Sequence, residues 1–327
     1  MTDLILAKMN AAPPGQRVAR RSRLLRSATN ASVAVAISLV IAKTWAWRAT
    51  DSVSVMSSLA DSFLDVFAST LTFWAVRFSL SPADDEHRFG HGKSEGLAAL
   101  LQSVIISASG LFVAVEAVQR LLAPEAITRP GAGIVVIAAS TVVTLALVSW
   151  QRYVSRETGS VAITADALHY ESDLLVNLGV VGAVVVASLT GRAWIDPLVG
   201  LAVAAYLVSG AWRIAARSLD ILLDHEIAET DRARIREFAT RHPQVRGFHD
   251  LRTRHGGSGL IVQFHLELDA ATTLIETHRI LDEVESWIEE AFPGCEIIIH
   301  PDPVGYAERR DRFEEERKPV ADRRSDR

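Results

Sequence analysis

Six apolar stretches run through the first two thirds of the chain, and each is long enough to cross a bilayer. They lie near residues 29–48, 54–79, 94–122, 131–150, 161–189 and 195–216. A membrane helix needs about 20 predominantly apolar residues, and a hydrophobic content of 49% agrees with several such segments. Backbone groups inside lipid must be hydrogen-bonded within their own segment, which favours helices. The sequence therefore predicts an all-α bundle of six transmembrane helices.

Lys and Arg residues near the ends of these stretches predict their orientation, because short cytosolic loops are enriched in both. With both termini inside, twelve basic residues fall on the cytosolic side: Lys8, Arg17, Arg20, Arg21, Arg23, Arg26, Arg88, Lys93, Arg152, Arg156, Arg213 and Arg217. Five fall on the outer side: Lys43, Arg48, Arg120, Arg129 and Arg192. We therefore expect a multi-pass protein of the inner (plasma) membrane with both termini in the cytosol.

The composition changes after residue 217, where charged and alternating patterns replace the apolar stretches. Helical patterns cover 229–242 and 273–291, and strand patterns cover 245–254, 259–268 and 295–300. The order α-β-β-α-β predicts a small cytosolic α+β domain. The predicted divisions are a cytosolic N-terminal arm (1–27), the transmembrane domain (28–217), the cytosolic domain (218–305) and a charged, disordered tail (306–327).

Two of the apolar stretches carry carboxylates, which are costly in lipid and indicate a functional site. Asp61 and Asp65 lie four residues apart, and Asp166, His169 and Asp173 follow at spacings of three and four, so each set shares one helical face. A rise of about 1.5 Å per residue places Asp61 level with Asp173 and Asp65 level with His169. Three carboxylates and one imidazole suit a tetrahedral divalent cation, with zinc the leading choice. A proton relay and a polar network around a water-filled cavity are the alternatives.

The loop between the second and third stretches contains the pattern D-x-x-H-x-x-x-H, formed by Asp84, His87 and His91. Short polar loops often carry histidines without binding a metal, so this pattern alone is a weak indication. Its cytosolic side and its glycines would allow an exposed metal site.

The predicted cytosolic domain contains seven histidines, and their sequence contexts predict different positions and roles. His265 lies on the polar face of its strand, and His300 forms a compact His-x-Asp pair with Asp302. His278 lies between leucines at helical spacing, which favours a role in the core. Surface positions are expected for the histidines at 225, 242 and 255. Cys295, the single cysteine, is expected to be a small buried apolar residue.

Together these motifs resemble the cation diffusion facilitator family of divalent-metal/proton antiporters, most closely its bacterial zinc and iron exporters. The matching stretches are "LADSFLDVFAS", "SPADDEHRFGHGKSEGLAAL", "ADALHYESDLLVN", "IDPLVGL", "HDLRTR", "FHLEL" and "IIIHPDP". They keep their order and spacing over roughly residues 28–305.

The resemblance implies three metal sites. The transport site would consist of Asp61, Asp65, His169 and Asp173. The loop site would consist of Asp84, His87 and His91. A cluster in the cytosolic domain, which is also the dimerisation domain, would consist of His249, His265, His278, His300 and Asp302. This replaces the core interpretation of His278, while Asp166 is not expected to be a direct ligand.

The expected function is therefore divalent-cation efflux coupled to protons by alternating access, without enzymatic activity. Zn²⁺ would be both substrate and regulatory ligand, and the same donors tolerate Fe²⁺, Cd²⁺ and Co²⁺. Expected partners are divalent cations, protons, the lipid bilayer and a second copy of the chain, and no nucleic acid. The alternatives are a membrane metal sensor and an intramembrane metalloenzyme. Against the latter, the sequence has no H-E-x-x-H motif, and four protein ligands leave no open position on the metal.

Overall fold

The computed structural model describes residues 14–50, 53–122, 134–190, 194–256 and 259–305. The chain divides into two compact units, one formed by Met1–Ala83 with His91–Leu219 and the other by Asp84–Gly90 with Asp220–Arg327. The predicted disordered tail and the first part of the predicted N-terminal arm lie outside the described residues.

The first unit consists of long helices. Their bounds are α1 Pro14–Thr50, α2 Val53–Ser79, α3 Ser94–Leu122, α4 Ile134–Thr158, α5 Val161–Thr190 and α6 Ile195–Leu222. Within the described residues, four stretches are long and apolar enough to cross a membrane: Val18–Ala49, Ser58–Ser79, Ser94–Leu122 and Pro197–Leu222. This unit fits a helical transmembrane domain.

Helix α1 begins at Pro14, well before the predicted start near residue 29. The intervening residues are mostly Arg, Leu and Ala, which are strong helix formers. Arg20 Nη2 donates to Glu157 Oε2 at 2.9 Å, and Arg21 Nε donates to the Thr158 carbonyl at 3.4 Å. Much of the predicted N-terminal arm is therefore one helix with the first apolar stretch, held against the end of α4.

Close packing of α6 against α3 and α5 depends on glycines. A Cβ atom at Gly210 would lie 2.7 Å from Leu168 Cδ2, and one at Gly110 would lie 3.1 Å from Val208 Cγ2. Small residues let membrane helices approach closely, where dispersion forces replace the hydrophobic effect. Helix α5, which carries the polar residues, therefore packs closely against α6 and also contacts α2.

The second unit has the predicted order α-β-β-α-β. Its elements are α7 Glu229–Ala239, β1 Gly247–His255, β2 Leu260–Leu268, α8 Leu274–Ala291 and β3 Glu296–Pro303. Strand β2 is central, antiparallel to β1 and parallel to β3. The core contains Phe264 of β2 and the stripe Ile280, Val284 and Ile288 of α8, all fully buried. This spacing of four residues faces α8 towards the sheet and leaves the other sheet face for polar groups.

Residues 84–90 belong to the second unit, although they lie between α2 and α3 in sequence. The Arg254 guanidinium lies over the ring of Phe89, 4.7 Å from its centre. Arg254 Nη1 also donates to Asp224 Oδ2 at 3.2 Å. The arginine therefore joins β1 to this loop segment and to the chain that follows α6.

The prediction of a surface position for His242 is wrong, because only 5% of this residue is exposed. Its Nδ1 accepts a hydrogen bond from the Gln244 backbone N–H at 3.2 Å, and its ring packs against Trp287. Cys295 packs against the core of the second unit but is only partly buried, which falls short of the buried position expected for it. Burial raises the pKa of the Cys295 thiol, so this residue is a poor nucleophile.

Candidate functional site

Asp65 of α2 and His169 and Asp173 of α5 converge in the helical unit. One ligand atom from each lies within 4.8 Å of the others. His169 Nε2 and Asp65 Oδ1 are 3.1 Å apart and share a hydrogen bond. Asp65 and His169 are buried, and Asp173 is partly buried. His169 Nδ1 has no hydrogen-bond partner among the described residues. The group combines the donor types that bind divalent cations such as zinc.

Asp61 lies one helical turn from Asp65, but its side chain is exposed and it is not part of this three-residue group. Lys43 of α1 approaches the same stretch of α2. Its Nζ donates to the Ser62 hydroxyl at 2.7 Å and to the Ser58 carbonyl at 3.1 Å. The lysine brings a positive charge towards a helix that carries two carboxylates, a contact that the sequence analysis did not anticipate.

Asp166 is fully buried and is held by side chains from three other helices. It accepts hydrogen bonds from Ser32 of α1 at 2.6 Å, Gln151 of α4 at 2.6 Å and Gln102 of α3 at 3.4 Å. A buried carboxylate with this many donors is stabilised as part of a network. Its oxygens are committed to neighbouring helices, which agrees with the expectation that Asp166 is not a direct metal ligand.

The predicted loop residues fall in different units. Asp84 Oδ1 accepts backbone N–H groups from Glu86 at 3.0 Å and from His87 at 2.7 Å, and it lies 3.3 Å from His87 Nδ1. Both side chains are exposed. His91 is buried in the helical unit, where its ring lies 4.2 Å from that of Phe78. The three-residue loop site therefore stays a prediction.

A row of histidines crosses the three strands of the second unit. His249 of β1 pairs with His265 of β2, and His265 pairs with His300 of β3. Paired residues point to the same face of a sheet, and the ring centres are 5.0 Å and 4.8 Å apart. Asp302 follows His300 by two residues and so shares its face. The strand pairing thus places four metal-binding residue types side by side.

Contacts with Asp302 hold this row together. Its Oδ2 lies 2.9 Å from His265 Nδ1 and 3.5 Å from His249 Nε2, and its Oδ1 lies 3.3 Å from His300 Nε2. Ligand atoms of His249, His265 and Asp302 all lie within 4.8 Å of one another. Both ring nitrogens of His249 are buried and have no hydrogen-bond partner among the described residues. Buried unsatisfied imidazole nitrogens next to a carboxylate fit a metal ligand set.

The sequence analysis missed Asp250, which a β-bulge in β1 turns towards this cluster. The pairing shifts between His249 and Arg252, and Asp250 has a φ of +50°. Its Oδ2 lies 3.9 Å from His265 Nε2, and both oxygens accept from Arg252, at 3.0 Å and 2.6 Å. The hydrogen bonds that Arg252 donates to Asp250 raise the pKa of its guanidinium group above the ordinary value. A β-bulge changes the direction in which a side chain points. In the sequence, the only indication of a second ligand type here is that Asp250 directly follows His249 in "HDLRTR".

Glu267 of β2 is a second residue that the sequence analysis missed. Its Oε1 lies 3.6 Å from His249 Nδ1. It crosses over Gly247, where a Cβ atom would lie only 2.5 Å from Glu267 Oε2. A glycine at this position therefore leaves room for the carboxylate to reach the histidine.

His278 does not join the cluster within the described part of one chain. Its side chain is 76% exposed on α8, and its Nε2 lies 3.7 Å from Asp282 of the same helix. The core position that spacing alone favoured is therefore wrong. Its assignment as a metal ligand, which came from the resemblance, remains a prediction.

Comparison with known proteins identifies the family. Residues 30–223 match the model of the cation efflux transmembrane domain, and residues 227–304 match that of the cation efflux protein cytoplasmic domain. The chain belongs to the cation diffusion facilitator family. The cation-efflux pumps FieF of Escherichia coli strains K12 / DH10B and O157:H7 are 41% identical to it over 290 residues, which is 88% of this chain and 95% of each pump.

Two solved structures of the zinc transporter candidate CzrB match a smaller part of the chain. The first is 34% identical, covers 24% of this chain and 99% of that chain, and has a TM-score of 0.23. The second, a zinc form, is 35% identical, covers 26% of this chain and 99% of that chain, and has a TM-score of 0.24.

Membership of the family establishes the protein as a cation efflux transporter with divalent metal cations as its substrate class. Related proteins of this family transport ions and are not enzymes, which favours transport over the metalloenzyme and sensor alternatives. The second unit fits the family's cytoplasmic domain, to which homodimerisation belongs.

Proposed function

We propose that this chain exports Zn²⁺ in exchange for protons, and that Asp65, His169 and Asp173 bind the ion in transit. The main support is the convergence of their ligand atoms inside the helical unit. Two ligands about 2.1 Å from one tetrahedral Zn²⁺ lie roughly 3.4 Å apart, close to the 3.1 Å between His169 Nε2 and Asp65 Oδ1. Imidazole and carboxylate donors suit Zn²⁺, and the same donors also suit Fe²⁺, Cd²⁺ and Co²⁺.

Asp61 would supply the fourth ligand. It lies four residues before Asp65 on the same helical face, and its exposed side chain is free of the packing that holds Asp65. A change of rotamer can turn an exposed carboxylate without moving the backbone. A four-ligand set encloses the ion, which suits binding during transport and leaves no position for catalysis.

Protons would compete with the metal for the same atoms. A cation binds only to ionised carboxylate and neutral imidazole, so binding displaces protons and protonation displaces the metal. His169 Nε2 and Asp65 Oδ1 lie 3.1 Å apart, within hydrogen-bonding distance, so a proton can take the place of the metal between them. Alternating exposure of this site to the two sides of the membrane would couple metal efflux to proton entry.

The proposal includes six membrane-spanning helices, α1 to α6, in the inner membrane with both termini in the cytosol. The excess of Lys and Arg on the predicted cytosolic side supports this orientation. An even number of spans also keeps the cytosolic domain on the same side as the N terminus.

The cluster at His249, His265, His300 and Asp302 would bind cytosolic metal and regulate the transporter as a homodimer. Its buried, unsatisfied imidazole nitrogens support metal binding. Metal binding to one conformation of the dimer would shift the balance between inward- and outward-facing states. His278 is exposed, so it would take part only where a second copy brings it to the sheet.

An Asp65→Asn variant tests the transport site. An amide is a far weaker metal ligand than a carboxylate, so we expect pH-gradient-driven Zn²⁺ uptake into everted vesicles to fall at least about tenfold. Glu116→Gln is the matched control, because Glu116 is an exposed carboxylate on α3 that pairs with Arg120. Both variants should elute as the wild type does on gel filtration. Wild-type uptake by folded Asp65→Asn protein would contradict the proposed site.

A further inference from the structure

A basic groove opens between α4, α5 and α6 in the helical unit, at the end where α4 turns into α5. It has a volume of about 320 Å³. Arg152 and Arg156 of α4 and Arg213 and Arg217 of α6 line it, together with Glu171 of α5. Four guanidinium groups and one carboxylate give the groove a net positive charge. Such a concentration of charge is unusual on a unit that fits a transmembrane domain, where most of the surface faces lipid.

Two of these arginines are already engaged. Arg152 donates to Glu171, whose other oxygen accepts from the Tyr206 hydroxyl at 3.0 Å. Arg217 Nη2 donates to the Gly159 carbonyl at 3.3 Å. The exposed side chains of Arg156 and Arg213 have neither a hydrogen bond nor an ion pair within the described part of the chain. Within the described residues, the guanidinium groups of Arg156 and Arg213 are therefore available to a ligand, next to the hydrogen-bonded side chains of Arg152 and Arg217.

Aromatic residues place the groove at the level of lipid headgroups. Trp150 and Tyr153 of α4 stack with ring centres 5.5 Å apart, and both are exposed. Trp212, next to Arg213 on α6, is 75% exposed. Exposed Trp and Tyr side chains on membrane helices concentrate at the interface between hydrocarbon and water.

We propose that this groove binds the phosphate group of an anionic phospholipid. Arginine forks pair with phosphate oxygens in two parallel hydrogen bonds, and basic pockets between membrane helices are suited to acidic headgroups. Leu145 precedes Arg152 by seven residues on the same face of α4 and is 53% exposed. An acyl chain of the bound lipid can therefore run along α4 while its phosphate contacts Arg156 and Arg213.

The inference goes beyond cation exchange, since the groove residues are separate from the three proposed transport ligands. A lipid at this position would contact α4, α5 and α6 together. It would hold α6 against the helix that carries His169 and Asp173. Because α6 makes its closest approach to α5 at Gly210, which also lines the groove, the lipid would stabilise this contact.

Native mass spectrometry of the full-length protein tests the proposal. Delipidated protein is titrated with phosphatidylglycerol or phosphatidylcholine, for the wild type and for the Arg156→Gln/Arg213→Gln pair. Each basic residue near an anionic headgroup contributes about fivefold in affinity, so the pair should weaken phosphatidylglycerol binding roughly 25-fold. We expect the wild type to prefer phosphatidylglycerol. Equal affinity for both lipids would overturn the proposal.

The control pair is Arg23→Gln/Arg26→Gln, which removes the same charge from exposed positions on α1. It should leave lipid affinity within about twofold of the wild type, and an equal loss in both pairs would show only general surface attraction. Inorganic phosphate should not displace the lipid. Displacement by phosphate would mean a site for soluble anions and would overturn the lipid assignment. Each single Gln substitution is measured too, so a misfolded double variant leaves the test intact.

Discussion

Asp302 lies at the centre of the histidine row on the sheet. It contacts His249 and His265 through one oxygen and His300 through the other. A carboxylate in this position balances the positive charge of a bound cation and fixes the orientation of the imidazole rings. Losing it affects all three histidines, so Asp302 is the most informative single residue for the cytosolic cluster.

Asp302→Asn should weaken metal binding by the cytosolic cluster at least about tenfold, because an amide cannot supply the ionised oxygen. The measurement is Zn²⁺ titration of full-length protein in an Asp65→Asn background, which separates the cluster from the transport site. His255→Ala is the control, since His255 is an exposed histidine at the end of β1. If Asp302→Asn binds as many zinc ions as the control with the same affinity, the cluster does not depend on this carboxylate.

At the scale of elements, the sequence predicted which residues share a face of one helix or strand better than it predicted which elements meet. The spacing of His169 and Asp173 indicated one helical face, because the geometry of a helix is set by neighbours in sequence. The meeting of His265 with His300 depends on the parallel pairing of β2 with β3, which spacing does not specify. The bulge at Asp250 also escaped prediction, because its left-handed backbone depends on the strand opposite.

The bulge in β1 gives a prediction about Asp250. Asp250→Gly removes the carboxylate that faces His265. Glycine adopts the left-handed backbone conformation easily, whereas other residues lose about 1–2 kcal/mol of stability there. We expect near-normal thermal stability but about 10–100-fold weaker metal binding by the cluster. Asp224→Gly is a matched control, because Asp224 also has a positive φ, of 56°, and pairs with an arginine. If both variants bind metal with equal affinity, the Asp250 carboxylate does not contribute to metal binding and the bulge has only a structural role.

For the whole molecule, buried polar contacts inside the helical unit set limits on how transport can occur. Asp166 joins α5 to α1, α3 and α4 through hydrogen bonds to Ser32, Gln102 and Gln151. Breaking such bonds without replacement would leave buried polar groups unsatisfied, at about 1–3 kcal/mol each. Helices tied in this way are expected to move together. Alternating access would then arise where α6 shifts against that group, since no α6 side chain among the described residues donates to Asp166, whereas Ser69 joins α2 to the network at 2.9 Å from the Ser32 hydroxyl.

The orientation of the chain decides which side of the membrane the predicted cytosolic domain faces, and single-cysteine labelling tests it. Cys295→Ala gives a cysteine-free background, into which Ala83→Cys or Thr128→Cys is introduced. With both termini cytosolic, a membrane-impermeant maleimide should label Thr128→Cys in intact cells and Ala83→Cys only in everted vesicles, because α3 separates the two positions. Labelling of Ala83→Cys from outside would reverse the topology. Exchange of metal for protons would still run in the direction that the proton gradient sets, but the predicted cytosolic domain would then lie outside the cytosol and could not respond to cytosolic metal.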